Sequence, residues 1–225
     1  VFESTLTAQY ALMREELNKG RQCYIVYPLV EQSEKIDLKA ATEAFEELST
    51  TAFSAYRCAM VHGQMTWSEK EEVMHAFQRH EYDVLITTTV IEVGVDVPNA
   101  SVMLIQHAER FGLSQLHQLR GRVGRGAHQS LCLLATKDHF AFAMRSRDQE
   151  HEQRAAAVVR LRTMEQTDDG FRIAEVDLRL RGPGDVLGTR QSGLPNFRFA
   201  DIMRDTELVA LSREKAFAIV ADDPQ

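Results

Sequence analysis

Hydrophobic and polar residues alternate with two different periods along residues 1–140 of the chain. A helical period, with apolar residues three or four positions apart, runs through residues 5–19 and 37–50 and through a segment that ends near Arg79. Between these segments lie short apolar runs with the length and composition of buried strands. These runs are CYIVYP, YRCAMVHG, DVLITTT, SVMLIQ and SLCLLAT. Strands that alternate with helices predict an α/β fold whose mostly parallel sheet is flanked by helices.

Local signals set the ends of the predicted helices. Gly20 ends the first helix, because glycine commonly occupies the position after a helix C-terminus. Ser68 and Glu71 have the spacing of a capping box, which predicts that the third helix begins at Ser68. A further short helix is expected from Ser114 to about Arg122.

The pattern changes after about Lys137. Residues 138–166 are polar and helix-prone, TDDG then interrupts the chain, and FRIAEVDLRLRG predicts a second helix. The following stretch, PGDVLGTRQSGLPNFRF, is too rich in glycine and proline for regular structure, and a last helix is expected over about residues 201–220. The sequence therefore predicts a domain over residues 1–140 and a helical hairpin, an extended loop and a closing helix over residues 141–225.

Composition limits the function classes more than it changes this picture. Hydrophobic residues make up 44% and charged residues 26%, as in an ordinary globular protein. The formal net charge of -7 means that any contact with nucleic acid is local rather than made by a broadly basic surface. No apolar run approaches the ~18 residues of a membrane span. Cys23, Cys58 and Cys132 each lie in an apolar run, which predicts buried free thiols in strands and fits a reducing cytoplasm.

The strongest candidate for chemistry is the string QLRGRVGRG, from Gln118 to Gly126. Its glycines let the backbone turn tightly, so that the guanidinium groups of Arg120, Arg122 and Arg125 can project from one fixed base. Forked planar donors suit phosphate oxygens, and an arginine on a γ-phosphate accelerates phosphoryl transfer by about 10³- to 10⁵-fold. A solvated basic turn is the weaker interpretation of so regular a string.

The run DVLITTT is a second candidate. It delivers Thr87, Thr88 and Thr89 at the carboxyl end of a strand, which is the edge where open α/β sheets bind ligands. Hydroxyl and N–H groups there can hold phosphates without any net positive charge. Gly94 and Asp96 follow in a tight GVDVP segment, where Asp96 could accept a hydrogen bond from a ribose hydroxyl. A threonine-rich strand with an ordinary loop fits this segment equally well when it is considered alone.

The string VHGQM is a weaker third candidate. It places His62 and Gly63 between a predicted strand and the helix expected at Ser68, whose N-terminus would favour an anion. An ordinary loop histidine is the commoner interpretation of His62 by itself. The sequence has neither the ligand spacing of a metal site nor a G-x-S-x-G nucleophile motif.

The sequence also lacks a G-x-x-x-x-G-K-[ST] phosphate loop and an acidic strand-end pair for magnesium. Arginines for a γ-phosphate without a cradle for the phosphates amount to half of a nucleotide site. We therefore expect the chain to close on a nucleotide carried by a partner domain, with the guanidinium groups exposed at the same rim of the sheet as the three threonines. The chain begins with Val1 instead of methionine, which favours a fragment of a longer protein.

The strings CYIVYP, ITTTVIEVGVDVP and QLRGRVGRG, in this order, resemble motifs IV, V and VI of superfamily 2 helicases over about residues 20–135. The resemblance implies a second RecA-like motor domain. It implies that Arg122 and Arg125 reach ATP phosphates from this domain, and that Gly94 and Asp96 lie on the nucleotide side of motif V.

The same resemblance implies contacts with nucleic acid. Thr88 matches the hydroxyl that holds the backbone of the tracked strand, and Gln118 matches a residue that couples the nucleotide to that strand. The remaining positions that it places on the nucleic-acid side are His62, Gly63 and Thr89.

Longer segments narrow the resemblance to the RecG family of bacterial ATP-dependent DNA helicases. They are GQMTWSEKEEVMHAF, VIEVGVDVPNASVMLIQHAERFGLSQLHQLRGRVGRG and FRIAEVDLRLRGPGDVLGTRQSGLPNFRFAD. The last one resembles the translocation motif of that family, a helical hairpin followed by a loop, which the transcription-repair coupling factor shares. Arg181, Arg190 and Gln191 match its polar positions and are expected to couple hydrolysis to movement.

The resemblance implies the C-terminal half of an ATP-dependent helicase that remodels branched DNA, such as stalled forks and Holliday junctions, in recombination and repair. It implies ATP and Mg²⁺ as cofactors, forked or branched duplex DNA as a partner, and a nucleoid-associated place in the bacterial cytoplasm. Because the wedge domain and the first motor domain of that family are missing from the sequence, the fragment alone is expected to be inactive. Three alternatives stay open: the motor of the coupling factor, a non-hydrolysing binding module, and an RNA-directed member of the superfamily.

Overall fold

A computed structural model gives the fold of the chain. It describes residues 1–29, 34–88, 96–126, 128–140 and 152–181, together with Leu211 and Lys215. The strands are β1 (Gln22–Tyr27), β2 (Cys58–Val61), β3 (Val84–Thr88), β4 (Ala100–Ile105) and β5 (Leu131–Leu134). The helices are α1 (Leu6–Asn18), α2 (Glu34–Thr50), α3 (Trp67–Gln78), α4 (Leu113–Arg120), α5 (Glu152–Gln166) and α6 (Gly170–Arg181). All the segments predicted as strands are strands.

The five strands form one sheet in the order β2-β3-β1-β4-β5, and every neighbouring pair is parallel. The predicted α/β fold, with a parallel sheet flanked by helices, is therefore confirmed. Val61, the last residue of β2, pairs with Thr87 in β3, so that these two strands end side by side. This pairing fixes which polar residues share the carboxyl edge of the sheet.

Strand side chains alternate between two cores, one on each face of the sheet, because successive residues of a strand point to opposite faces. On one face, the strand residues Tyr24, Val26, Leu85 and Met103 pack with Met74 of α3, Leu116 of α4, Leu161 of α5 and Ile173 of α6. On the other face, Cys23, Ile25, Val84 and Ile86 pack with Met13 and Leu17 of α1 and Leu48 of α2. The helices thus cover both faces, as expected of a doubly covered parallel sheet.

The N-terminus of α3 differs from the prediction. The helix begins at Trp67, and its N-cap is Thr66 rather than Ser68. The Thr66 hydroxyl accepts a hydrogen bond from the Glu69 backbone N–H at 3.3 Å, and the Glu69 carboxylate accepts one from the Thr66 N–H at 2.7 Å. Because both members of the Thr66–Glu69 box are paired, the capping box predicted at Ser68 and Glu71 is wrong by two residues.

We expect Thr66→Ala to lower the free energy of unfolding by about 0.5–2 kcal/mol, because it removes a working N-cap. Ser68→Ala is the matched control, since Ser68 is an exposed residue inside the first turn of α3 and alanine favours a helix there. Chemical denaturation followed by circular dichroism measures both. Equal losses for the two variants would contradict the assignment of the cap to Thr66.

The C-terminus of α1 agrees with the prediction. Gly20 adopts a left-handed conformation with φ of 76°, and its N–H donates to the Leu17 carbonyl at 2.9 Å. The following N–H, of Arg21, reaches back to the Glu16 carbonyl at 3.2 Å. A residue with a side chain would be strained in this conformation, so glycine sets the end of α1.

The three cysteines are free thiols in β1, β2 and β5, as predicted. Cys23 is buried, whereas Cys58 and Cys132 are only partly buried, so the predicted burial holds fully for one of them. Burial raises the pKa of the Cys58 thiol to about 11 and that of the Cys132 thiol to about 12. All three stay protonated near neutral pH, and none is suited to act as a nucleophile.

The chain forms two compact units, Val1–Asp177 and Leu178–Gln225. The first unit therefore contains α5 and most of α6 in addition to the sheet. The predicted domain boundary after residue 140 stays a prediction. The irregular loop and the closing helix predicted over residues 183–220 lie outside the described residues, apart from Leu211 and Lys215. Among the helices that the structure describes, none combines the length and the apolar character needed to cross a bilayer.

Candidate functional site

The arginine string, QLRGRVGRG, begins at Gln118 in the last turn of α4 and continues past the end of the helix. The Gly121 N–H donates to the His117 carbonyl and closes the last turn, after which the chain leaves the helix. Val123, in the middle of the string, is buried in the core and anchors it. Arg122 and Arg125 lie on either side of this anchor, on irregular backbone between α4 and β5.

Arg125 is the most accessible of the three arginines, with about half of its side chain exposed (51%). Its Nε atom donates to the Gly121 carbonyl at 2.8 Å and lies 3.6 Å from Oδ1 of Asp96. The structure thus brings together two residues predicted from separate motifs. The contact with Gly121 fixes the base of the side chain, and among the described residues no hydrogen bond engages the terminal nitrogens of the guanidinium group.

Arg122 is partly buried and lies close enough to Tyr24 to affect its ionisation. Burial raises the pKa of the Tyr24 hydroxyl; Arg122 opposes this rise, whereas Asp96 adds to it. Arg122, Arg125 and Asp96 therefore belong to one cluster of charges beside β1. Asp96 is positioned by its backbone, since the Asp96 carbonyl accepts a hydrogen bond from the Gln78 side chain at 3.1 Å.

A close backbone contact holds the arginine string against the segment that carries Asp96. A Cβ atom placed on Gly126 would lie 2.2 Å from the Pro98 carbonyl oxygen. Because heavy atoms do not approach so closely, only glycine fits here. The contact sets the distance between the two segments and, with it, the distance between Arg125 and Asp96.

Gly126→Ala is expected to destabilise the domain by about 1–3 kcal/mol and to move Arg125 away from Asp96, because the added methyl group must displace Pro98. The control is Gly121→Ala, whose Cβ would meet only ordinary contacts, at 3.5 Å from the Gln118 and His117 carbonyl oxygens. Thermal unfolding of the intact protein measures both changes. A transition for Gly126→Ala as high as that for Gly121→Ala would contradict the close contact.

Arg120 does not project outward, so the prediction that all three guanidinium groups share one external target is wrong. Its side chain is only 18% exposed, and its Nη1 atom lies 2.9 Å from the carboxylate of Asp168. Nη1 also donates to the carbonyl oxygens of Met164 and Thr167 at 2.9 and 2.8 Å. Nη2 lies 3.1 Å from Nδ1 of His117, which must accept because arginine only donates. Arg120 therefore fastens α4 to the turn between α5 and α6.

The arginine cluster and the two described threonines, Thr87 and Thr88, lie toward opposite ends of the strands, so the prediction that they share one rim is wrong. Helix α4 leaves the carboxyl end of β4 and runs back toward the amino end of β5, so the string that follows α4 lies on the amino side. Asp96 likewise precedes the amino end of β4. Thr88, in contrast, is the last residue of β3, at the carboxyl edge.

The predicted nucleic-acid residues that the structure describes meet at this carboxyl edge. Val61 in β2 pairs with Thr87 in β3, so the residues that follow them, His62 and Thr88, lie side by side at the ends of neighbouring strands. Thr88 is buried, and its Oγ1 atom has no hydrogen-bond partner within the described part of the chain; the same holds for Nδ1 of His62. The Gly63 carbonyl accepts a hydrogen bond from the Lys70 ammonium at 2.9 Å.

The other predicted residues are less informative. Gln118, the first residue of the arginine string, lies exposed on α4, four positions before Arg122. Arg181 is the last residue of α6, and only its backbone is described. Thr89, Gly94, Arg190 and Gln191 lie outside the described residues, and their roles stay predictions.

The groups that accept hydrogen bonds from Arg120 or pair with it were not predicted from the sequence. Asp168 and the preceding Thr167 belong to the TDDG interruption, which was interpreted only as a helix breaker. His117 was also missed, although it lies three positions before Arg120 on the same helix face. In the described ranges, no group of histidine, cysteine, aspartate and glutamate side chains is arranged to hold a metal ion.

Comparison with protein families gives two matches in sequence order. Residues 6–127 match the family described as the helicase conserved C-terminal domain. Residues 167–225 match the family described as ATP-dependent DNA helicase RecG, domain 3, C-terminal. The first match spans β1 to β4 and the arginine string, and the second begins in the turn that contacts Arg120.

Curated relatives extend over the whole chain. The sequence is 49% identical over 229 residues to the ATP-dependent DNA helicase RecG of Synechocystis sp., covering 100% of this chain and 26% of that protein. It is 45% identical over 205 residues to the RecG helicase of Thermotoga maritima, covering 91% of this chain and 24% of that protein. The chain thus spans about a quarter of the length of these relatives.

A solved structure also matches the fold. The structure of RecG bound to a three-way DNA junction superposes with a TM-score of 0.67 at 42% sequence identity. The match covers 93% of this chain and 25% of that one. Similarity in sequence and in fold therefore points to the same group of proteins.

Proposed function

Because the chain belongs to the RecG family of ATP-dependent DNA helicases and carries their helicase C-terminal domain, we propose that it is the second motor domain of a helicase that remodels branched DNA. In this proposal the intact protein acts on stalled forks and Holliday junctions in recombination and repair. The chain itself supplies part of the nucleotide site and part of the DNA site, and a first motor domain supplies the rest.

The observation that carries the proposal is the position of Arg125. Its guanidinium group is half exposed, is held by the Gly121 carbonyl, and has the Asp96 carboxylate 3.6 Å away. This contact is long and partly solvated, so the guanidinium group can exchange Asp96 for a stronger acceptor at little cost. Phosphate oxygens are such acceptors, because an arginine can bind them with two parallel hydrogen bonds.

ATP, when bound between two motor domains, supplies the phosphoryl group whose transfer to water drives the motor. Arg122 and Arg125 would approach its phosphates from this chain, with Asp96, Gly94 and Gln118 on the same side. Mg²⁺ would be held mainly by the first motor domain. An ordinary basic residue at position 125 would not suffice, because lysine lacks the planar fork.

Separation of the two sites within one rigid sheet suggests how closure would move DNA. The arginine cluster lies near the amino ends of the strands, and His62 and Thr88 lie at the carboxyl edge. When the arginines close on a nucleotide, the sheet turns as one body, and the far edge moves relative to the bound strand. The proposed strand contacts at that edge are His62, Gly63, Thr88 and Thr89.

The helical hairpin formed by α5 and α6 would transmit this movement to duplex DNA. Arg120 fastens the α5–α6 turn to α4, which ends at the arginine string. We assign Arg181, Arg190 and Gln191 to the coupling of hydrolysis to translocation. The intact protein would act in the bacterial cytoplasm, associated with the nucleoid, together with its wedge domain and first motor domain.

A DNA-stimulated ATPase assay of the intact protein tests the proposal. We expect a three-way junction to stimulate turnover and RNA of the same length to stimulate it far less. A protein that binds ATP but hydrolyses none with any DNA would instead be a binding module. Turnover that RNA stimulates as well as the junction does would place the protein among RNA-directed members of the superfamily.

Thr88→Val tests the strand contact within the same assay. Valine has the shape of threonine but lacks the hydroxyl, so the fold should be as stable as before or more stable. Loss of one hydrogen bond to a charged group costs about 1.5–3 kcal/mol, so the half-saturating DNA concentration should rise by about 10- to 150-fold. An unchanged half-saturating concentration would remove Thr88 from the DNA site.

A further inference from the structure

Trp67 is the one tryptophan of the chain, and it is 60% exposed at the first position of α3. An exposed indole ring offers a large flat apolar face on which another ring can stack. The residue lies five positions after His62, at the end of the turn that leads from β2 to α3. It therefore lies next to the carboxyl edge where the strand contacts are proposed.

Three sets of contacts fix the turn that leads to Trp67. The Met65 N–H donates to the His62 carbonyl at 3.2 Å, and the Met65 side chain packs against the core. The Thr66–Glu69 capping box fixes the first turn of α3. Lys70 donates to the Gly63 carbonyl at 2.9 Å. The indole ring thus projects from a fixed backbone rather than from a loose loop, which lowers the entropy cost of a contact.

Charge and aromatic surface are combined at this position. Lys70 lies three residues after Trp67, on the same face of α3, and its ammonium group points to the turn. Two acids of α3 lie near Trp67: the Glu69 carboxylate is engaged in the capping box, and Glu71, four positions after Trp67, lies 3.8 Å from the His75 ring. An aromatic face beside a cation is the combination with which proteins hold a nucleotide, by stacking on the base and attracting the phosphate.

We propose that Trp67 stacks on an unpaired base of the DNA strand that runs along the carboxyl edge of β2 and β3. The inference rests on the proposed function and adds a preference for one kind of DNA to it. Bases inside a duplex have both faces covered by their neighbours, whereas a base at a gap or a branch has a free face. Trp67 therefore favours DNA that contains unpaired nucleotides over continuous duplex.

Trp67→Ala and Trp67→Phe in the intact protein test the inference. Stacking contributes about 1–3 kcal/mol per base, and a partly exposed ring lies at the lower end of this range. We expect Trp67→Ala to raise the half-saturating concentration of a gapped DNA by about 5- to 10-fold in the ATPase assay, and that of a blunt duplex by less than about 2-fold. Trp67→Phe keeps an aromatic face and should recover most of the loss.

The control is Leu131→Ala, which shortens an exposed apolar side chain at the start of β5. This strand forms the opposite edge of the sheet from β2. The substitution should change neither half-saturating concentration. An equal effect of Trp67→Ala on gapped and continuous DNA overturns the inference. A lower thermal transition or lower DNA-free turnover also overturns it, because Trp67 would then pack against another domain. If no DNA stimulates ATP turnover by the wild-type protein, the proposed function itself is contradicted.

Discussion

Replacing Arg125 by alanine in the intact protein should nearly abolish ATP turnover while leaving ATP binding intact. An arginine that neutralises charge in phosphoryl transfer contributes about 10³- to 10⁵-fold to the rate, and that loss is expected here. The fold should tolerate the change, because the side chain is half exposed and its contact with Asp96 is a solvated ion pair. Phosphate release in the presence of branched DNA measures turnover, and a fluorescent nucleotide measures binding.

Arg79→Ala provides the matched control for this prediction. Arg79 is a similarly exposed arginine, paired with Glu81 at 2.6 Å, at the C-terminus of α3. Its loss should leave turnover unchanged, which shows that removal of a surface arginine has no general effect. Turnover of the Arg125→Ala protein within about twofold of wild type would reject the catalytic role, since the contribution expected of such an arginine is far larger.

The second large effect is expected at Arg120, where alanine should separate hydrolysis from unwinding. Removal of this partly buried guanidinium group leaves the Met164 and Thr167 carbonyl oxygens without their donor, at a cost of about 1–3 kcal/mol. That cost weakens the attachment of the α5–α6 turn to α4 by about 5- to 150-fold. Turnover should stay close to wild type, because Arg120 makes its contacts inside the domain, whereas fork unwinding per ATP should fall at least severalfold.

Asp168→Ala distinguishes the two kinds of contact that Arg120 makes. The Asp168 side chain is 96% exposed, so its ion pair with Arg120 contributes about 0–1 kcal/mol at most. We therefore expect nearly normal unwinding by this variant. If Asp168→Ala impaired unwinding as much as Arg120→Ala, the ion pair would be the important contact and the carbonyl contacts would not. Parallel loss of turnover and unwinding in Arg120→Ala would indicate misfolding.

The sequence was sufficient for the sheet but not for the direction of every arginine. The strands were predicted because short apolar runs bounded by turn residues have few other structures open to them. The alternation of glycine and arginine predicts a shared direction for all three arginines, and for Arg120 this prediction is wrong. Helix periodicity gives the better answer: positions 113, 116, 117 and 120 follow the spacing of one face, which Leu113 and Leu116 bury. Arg122 and Arg125 come after Gly121, where that periodicity no longer applies.

Two other errors have equally physical causes. Thr66 with Glu69 and Ser68 with Glu71 have the same capping spacing, so the local pattern does not choose between them; in the structure Thr66 is the N-cap. The shared rim was expected without considering that a helix between parallel strands returns to the amino side of the sheet. Because β4 and β5 are parallel, the segment that joins them must end at the amino end of β5, and this places the arginine string on that side. Contacts such as that of Gly126 with Pro98 depend on three-dimensional packing that no local pattern shows.

The hydroxyl of Thr88 bears on how such a domain evolves. In the described part of the chain this buried oxygen lacks a hydrogen-bond partner, which costs about 1–3 kcal/mol compared with a satisfied group. Under selection for folding alone, valine should replace threonine at this position, since that one substitution removes the unsatisfied hydroxyl. Because the proposed strand contact gives this hydroxyl a partner, we expect laboratory lineages selected for folding but not for DNA binding to lose it early.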